Sequence, residues 1–306
     1  MKEKKNLAAS VRDRLLKHAR ESKDEFQLVL MRFGLERVLY RLSKSDYADE
    51  FVVKGAMLFL IWTGEPHRST KDLDLLALKS ASTQHLEAVF RKVLKISVED
   101  DGLIFLPDTV AAEPIRENDI YQGVRVNMEA RLGNARIPLQ VDIGFGDVVT
   151  PKAGRIVFPT LLDLPAPKVA VYPKETAIAE KFEIMIKLGM ANSRMKDYHD
   201  IWTLCREFDF DGDVLCKAVR ATFQRRRTVI PIEIPTALSP EFCADASKQR
   251  QWEAFTKRGK LKVTERNLAV VVALVRDFLW PVAGAVVSET SFKGHWTKGG
   301  GWEFSS

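Results

Sequence analysis

Apolar positions recur along this chain with two distinct periods, and each period predicts its own kind of element. Residues 7–21 and 24–44 read as amphipathic helices. In the second, Leu28, Met31, Leu35, Leu39 and Leu42 are spaced by three or four residues and share one helical face. The stretch "EFVVKGAMLFLIW" reads as a short strand that enters a helix at Gly55. "TGEPHRSTK" is rich in turn formers, "DLDLLAL" is a strand, and residues 82–95 form another amphipathic helix. The period then changes to two. "GVRVNMEARLGNARIPLQVDIGFGD" predicts two strands joined by a hairpin at Gly133-Asn134-Ala135. In the second of these, Ile137, Leu139, Val141 and Ile143 face one way, and Gln140 and Asp142 the other.

The Pro-rich segment "FPTLLDLPAPKVAVYP" reads as a linker. Beyond it the period is helical again, over 174–190, 195–207, 211–223, near 247–257, and 262–280. The tail "KGHWTKGGGWEFSS" is expected to be irregular. The fold class is therefore α/β (α+β). A mixed sheet flanked by helices over residues 1–165 is followed by a mainly helical lobe over 166–306. A cleft between two such parts is a common place for a ligand.

Composition narrows the picture only slightly. With 306 residues, 46% of them hydrophobic, the chain can build a substantial core as two domains or one large one. A net charge of +6 is compatible with a nucleic-acid partner. The three cysteines, Cys205, Cys216 and Cys243, are widely spaced and form no CxxC pair. A zinc knuckle or disulfide framework is therefore not expected. The first residues are charged throughout, and no run of eighteen apolar residues occurs. Secretion and membrane spanning are not expected, and a cytoplasmic location is.

The chemistry concentrates in "KDLDLLAL". Asp72 and Asp74 lie one residue apart and so share a strand face, with Leu73 and Leu75 turned into the core. Asp142 occupies the polar face of a separate strand. If the two strands pair, three carboxylates converge on one patch. Such a cluster needs cations, and an all-oxygen set suits Mg²⁺, two ions of which clamp a displacement at phosphorus; Mn²⁺ is the alternative. The preceding loop offers Arg68 and Ser69 to phosphate oxygens, though Arg68 and Lys71 could equally be solvated loop charges, and Lys54-Gly55 opens a helix with free N–H groups. In "PKETAIAEKFEIMIKLG", Ala177, Lys181, Ile184 and Leu188 form a stripe that Lys181 interrupts. That lysine can snorkel, pair with Glu180, or meet a triphosphate. Asp197 and Asp200 share a helix face, opposite Tyr198 and Trp202, and Asp197 can equally cap or bridge the helix start. Arg225-Arg226-Arg227 and "KQRQWEAFTKRGKLK" are basic runs suited to RNA or to a solvated helix face. Trp252, Trp296 and Trp302 could stack bases or serve as packing anchors.

The ordered set "VVKGAMLFLIW…HRSTKDLDLLAL", "VDIGF" and "PKETAIAEKFEIMIKLG…RMKDYHDIWTL" resembles the AbiEii/AbiGii-type nucleotidyltransferase toxins of the polymerase-β-like superfamily, over roughly residues 35–302. Where many members carry Gly-Gly or Gly-Ser, this chain has Gly55-Ala56, which leaves the hydroxyl contact to Ser69. The resemblance implies a bilobal enzyme that moves NMP from an NTP. Asp72 and Asp74 match the metal ligands and Asp142 the third acid. Lys181 matches a triphosphate-binding lysine, joined by Lys54, Gly55, Arg68 and Ser69. Asp197 and Asp200 match the segment R-x-K-D-x-x-D. It further implies a toxin of a toxin–antitoxin or phage-defence pair. The acceptor would be RNA, at the tRNA 3′ end, and the cognate antitoxin a helix-turn-helix protein.

Overall fold

A computed structural model describes residues 7–64, 70–117, 121–258, 261 and 265–304. The chain divides into two compact units. The first comprises Met1–Gly146 and Gly154–Val171, and the second Asp147–Ala153 and Tyr172–Ser306.

The first unit opens with α1 (Leu7–Ser22) and α2 (Phe26–Ser43). Strand β1 (Phe51–Lys54) leads through one 3-10 turn, Gly55–Met57, into the short α3 (Leu58–Thr63). Then come β2 (Asp72–Ala77), α4 (Thr83–Leu94), β3 (Leu103–Glu117), β4 (Tyr121–Leu132), β5 (Ala135–Phe145), β6 (Gly154–Val157) and β7 (Lys168–Val171). The seven strands form one mixed sheet in the order β3-β4-β5-β2-β1-β7-β6. Strands β2 and β5 are parallel, as are β1 and β7, and the other pairings are antiparallel.

One face of this sheet is the core. Leu73, Leu75, Val141 and Ile143 are fully buried on it, as the alternation predicts. Helix α2 lies against β5 so closely that a methyl at Gly34 would meet Leu139 Cδ2 at 2.7 Å. Helix α4 covers β3, and Ser82 caps it by accepting the His85 N–H. The β4–β5 hairpin turns at Gly133-Asn134, with Gly133 at φ 57° and Ala135 already paired to Leu132.

Two expectations change here. The Pro-rich segment is not merely a linker, because it holds β7, which extends the sheet beyond β1. Its four residues, "KVAV", are too few to show a period among prolines. Strand β3 was not anticipated either. Pro107 and Pro114 and a register shift between Leu106 and Ala111 blur its alternation.

The second unit contains α5 (Lys174–Leu188), α6 (Met195–Glu207), β8 (Phe210–Asp211), α7 (Gly212–Arg226), α8 (Pro240–Ala244), α9 (Ala246–Arg258), α10 (Leu268–Val287), β9 (Gly294–Trp296) and β10 (Trp302–Phe304). Helix α10 is long and apolar enough to cross a membrane by length and composition. Here it packs on α6, α7 and α8, with Val271, Val275, Phe278, Leu279 and Val282 buried. The tail is not irregular, since β9 and β10 pair and β8 adds a third strand. Trp296 donates its indole N–H to the Cys205 carbonyl at 2.8 Å, and Trp302 donates to the Phe278 carbonyl at 3.0 Å. Trp252 is buried and donates to the Glu265 carbonyl. These three indoles are packing anchors, not base-stacking platforms.

Candidate active site

The two aspartates of β2 are half-buried on the face opposite Leu73 and Leu75. Parallel pairing with β5 sets Asp74 directly beside Asp142 and Asp72 beside Gln140. One carboxylate oxygen from each of Asp72, Asp74 and Asp142 lies within 4.8 Å of the other two. The three acids that the sequence pattern selects are thus brought together.

Like charges this close repel, and the surrounding residues show how the cluster is held. Strand register places Glu113, Arg125, Asp142, Asp74 and Lys54 side by side across β3, β4, β5, β2 and β1. The two central carboxylates are flanked by one cation on each side. Arg125 grips Asp142 with a two-pronged fork, Nε to Oδ1 at 2.9 Å and Nη2 to Oδ2 at 2.8 Å. These bonds hold the guanidinium above its ordinary range, while burial opposes them more weakly. Gln140 adds an Nε2 bond to Asp142 Oδ1 at 3.1 Å. Thr70 donates its hydroxyl to Asp72 Oδ1 at 2.6 Å. The Lys54 ammonium reaches over β5, where a methyl at Gly144 would sit 3.5 Å from it.

Gly55 is required by the carboxylate beside it. Its φ is +76°, and a methyl there would fall 1.9 Å from Asp74 Oδ2. Only a residue with no Cβ lets the backbone turn approach this aspartate. An all-oxygen donor set, convergent and half-exposed with three like charges, fits a hard divalent cation such as Mg²⁺ or Mn²⁺. Arg68 and Ser69 lie outside the described residues.

Lys181 belongs to the second unit. Its ammonium pairs with Asp197 Oδ1 and with Asp200 Oδ2, each at 2.9 Å. Arg194 Nε also donates to Asp197 Oδ2, at 2.6 Å. Both aspartates are fully buried. Burial works against the Asp197 charge, but Lys181 and Arg194 outweigh it and hold the carboxyl below its ordinary range. The stripe Ala177, Lys181, Ile184, Leu188 is the half-buried side of α5; the core side is Ile178, Phe182 and Met185. Arg226 does not serve a solvated basic patch. It is held by Asp147, Glu180 and Glu183 at 2.9, 3.3 and 2.8 Å, all within the second unit. Lys248 is buried as well, and donates to the Asn192 carbonyl at 3.0 Å.

The sequence profile for the nucleotidyl transferase AbiEii toxin of type IV toxin–antitoxin systems matches residues 37–278. The chain belongs to the AbiEii nucleotidyltransferase toxin family. It is accordingly a nucleotidyltransferase, and the resemblance found in its motifs holds over most of its length. No protein of curated function matches it significantly. Three solved structures share its fold. One is MenT4, a nucleotidyltransferase toxin of Mycobacterium tuberculosis, at 14% identity over 92% of this chain and 99% of that one, with a TM-score of 0.57. A putative nucleotidyltransferase of Helicobacter pylori follows at 12% identity over 88% and 100%, with a TM-score of 0.51. JHP933 of the same species gives 13% over 87% and 95%, with a TM-score of 0.50. At such identities the likeness speaks for the fold alone.

Arg125 is a residue of this site that motif reading missed. The signal was present: a hairpin closed by Leu132 and Ala135 pairs residues outward by counting, which sets Arg125 opposite Asp142.

Proposed function

We propose that this protein transfers a nucleoside monophosphate from an NTP to an RNA hydroxyl, with the tRNA 3′ end as acceptor. The observation that carries the reading is the convergence of Asp72, Asp74 and Asp142 on one sheet face of an AbiEii-family chain. The acceptor oxygen bonds to the α-phosphorus, the bond from that phosphorus to pyrophosphate breaks, and the hydroxyl proton passes to water. Asp72, Asp74 and Asp142 would hold two Mg²⁺ ions, with Mn²⁺ as the alternative. Held there, such ions would supply Lewis-acid activation of the acceptor hydroxyl and charge stabilisation for the leaving pyrophosphate.

The remaining residues bind and orient. Gly55 lets Asp74 approach the turn, and Lys54 offers charge beside it. Arg68 and Lys181 would neutralise charge on the triphosphate, and Ser69 would donate its hydroxyl to a phosphate oxygen. Asp197 and Asp200 fix the Lys181 ammonium, which makes them positioning residues. The basic net charge of +6 and the exposed Arg225 and Arg227 support an RNA partner. The biological setting we infer is a cytoplasmic toxin of a phage-defence pair, with a helix-turn-helix antitoxin encoded beside it.

The test is to incubate the protein with labelled NTPs, Mg²⁺ and separate pools of total RNA, protein and small molecules. Label should enter tRNA, pyrophosphate should be released, and Asp74→Ala should abolish both. Label in protein or small molecules would move the acceptor. Undiminished labelling by Asp74→Ala would end the metal assignment.

A further inference from the structure

Asp142 is already engaged before any substrate arrives. A carboxylate has about four acceptor directions. Three are taken, two on Oδ1 by Arg125 Nε and Gln140 Nε2, and one on Oδ2 by Arg125 Nη2. The direction that remains is on Oδ2. In the same row of the sheet Lys54 sits across Asp74, so the pair of adjacent carboxylates is enclosed by two fixed cations.

We propose that Arg125 is a built-in counter-cation of the carboxylate cluster with two effects. It orients Asp142 so that one oxygen, Oδ2, faces the site. It also weakens the hold of the nucleotide-free protein on divalent cations, so that the cation is delivered with the triphosphate. This rests on the reading that Asp72, Asp74 and Asp142 bind a divalent cation. Arg125 touches neither nucleotide nor reacting atoms in this scheme; it is a positioning residue that acts through Asp142.

Charge and geometry can be separated by substitution. Arg125→Met removes both the charge and the fork, whereas Arg125→Lys keeps the charge and loses the fork. Mn²⁺ binding to the nucleotide-free full chain is measured by electron paramagnetic resonance, and thermal melting confirms folding. Arg125→Met should bind Mn²⁺ at least about tenfold tighter than wild type, the lower bound reached when water fully screens one unit charge about 6 Å from a divalent ion. Arg125→Lys should bind Mn²⁺ as wild type does, yet lose at least tenfold in kcat for pyrophosphate release, because Asp142 is no longer aimed. Unchanged or weaker Mn²⁺ binding in Arg125→Met overturns the proposal, as does wild-type kcat in Arg125→Lys. Asp74→Asn is the control. If wild-type Mn²⁺ binding survives Asp74→Asn, the cation lies elsewhere and the metal reading fails, an outcome distinct from failure of the Arg125 effect alone.

Discussion

At the scale of single residues, the site is defined by what each neighbour permits. Gly55 and Gly64 share a φ of +76°, but only Gly55 has a carboxylate where a methyl would go. Gly64→Ala should therefore cost about 1 kcal/mol from backbone strain. Gly55→Ala adds a clash with Asp74, and should lower stability by about 2–4 kcal/mol and activity by at least about a hundredfold. Urea melts and pyrophosphate release measure the two. Lys181→Met should destabilise the protein by about 3–5 kcal/mol, because Asp197 and Asp200 stay buried with less countercharge. Adding Asp200→Asn should recover part of that loss in a double-mutant cycle. The two aspartates of β2 were legible from alternation alone, since Leu73 and Leu75 declare which face is buried. The partner of Lys181 was not legible. Glu180 is adjacent in sequence, but it projects about 100° away around the helix, while Asp197 and Asp200 approach from another element.

Elements add constraints that no single position reveals. Helix α2 carries Glu36, Arg37 and Arg41 into the interior of the first unit. Arg37 Nε and Arg41 Nη1 both reach Asp101 Oδ2, at 3.0 and 2.7 Å, and the Leu161 N–H donates to Glu36 Oε2 at 2.8 Å. Burial lifts Glu36 from 4.5 to about 7, against the pull of the Leu161 N–H and Arg37. The folded protein keeps this proton up to about pH 7, whereas the unfolded chain releases it near 4.5. Stability is therefore greatest below the unfolded value, falls as pH rises toward 7, and then levels off. Relative to Glu36→Gln, the wild type should lose roughly 3 kcal/mol across this window. Parallel urea melts from pH 4.5 to 8 read the difference. The amphipathic period of α2 was visible in sequence, but the inward Glu36, Arg37 and Arg41 were not, because their partners Asp101 and Leu161 lie on distant segments. Strand β7 stayed hidden for a related reason. Its identity as a strand comes from the free edge of β1, not from its own four residues.

On the scale of the whole molecule, the tail and α10 make one packing system. Trp302 stacks parallel on Phe278, with centroids 5.6 Å apart, and Trp296 meets the same ring edge-on at 4.9 Å. Trp296→Ala should destabilise the second unit by about 3–5 kcal/mol, read as a loss of urea resistance. An irregular tail would have predicted almost no effect. Here the Gly-rich composition misled, because Gly294 is small for a packing reason: a methyl on it would press against Phe292 and Trp302.

The path of the backbone has a consequence of its own. Both units are assembled from two pieces of polypeptide, since residues 147–153 leave the first for the second before β6 and β7 return. On the ribosome, β1 therefore waits for its outer neighbour until Val171 has emerged, long after the aspartates have been made. A nascent chain halted at Gly146 would carry all three of those acids on a sheet with an open edge, so the enzyme's competence is scheduled late in its own translation.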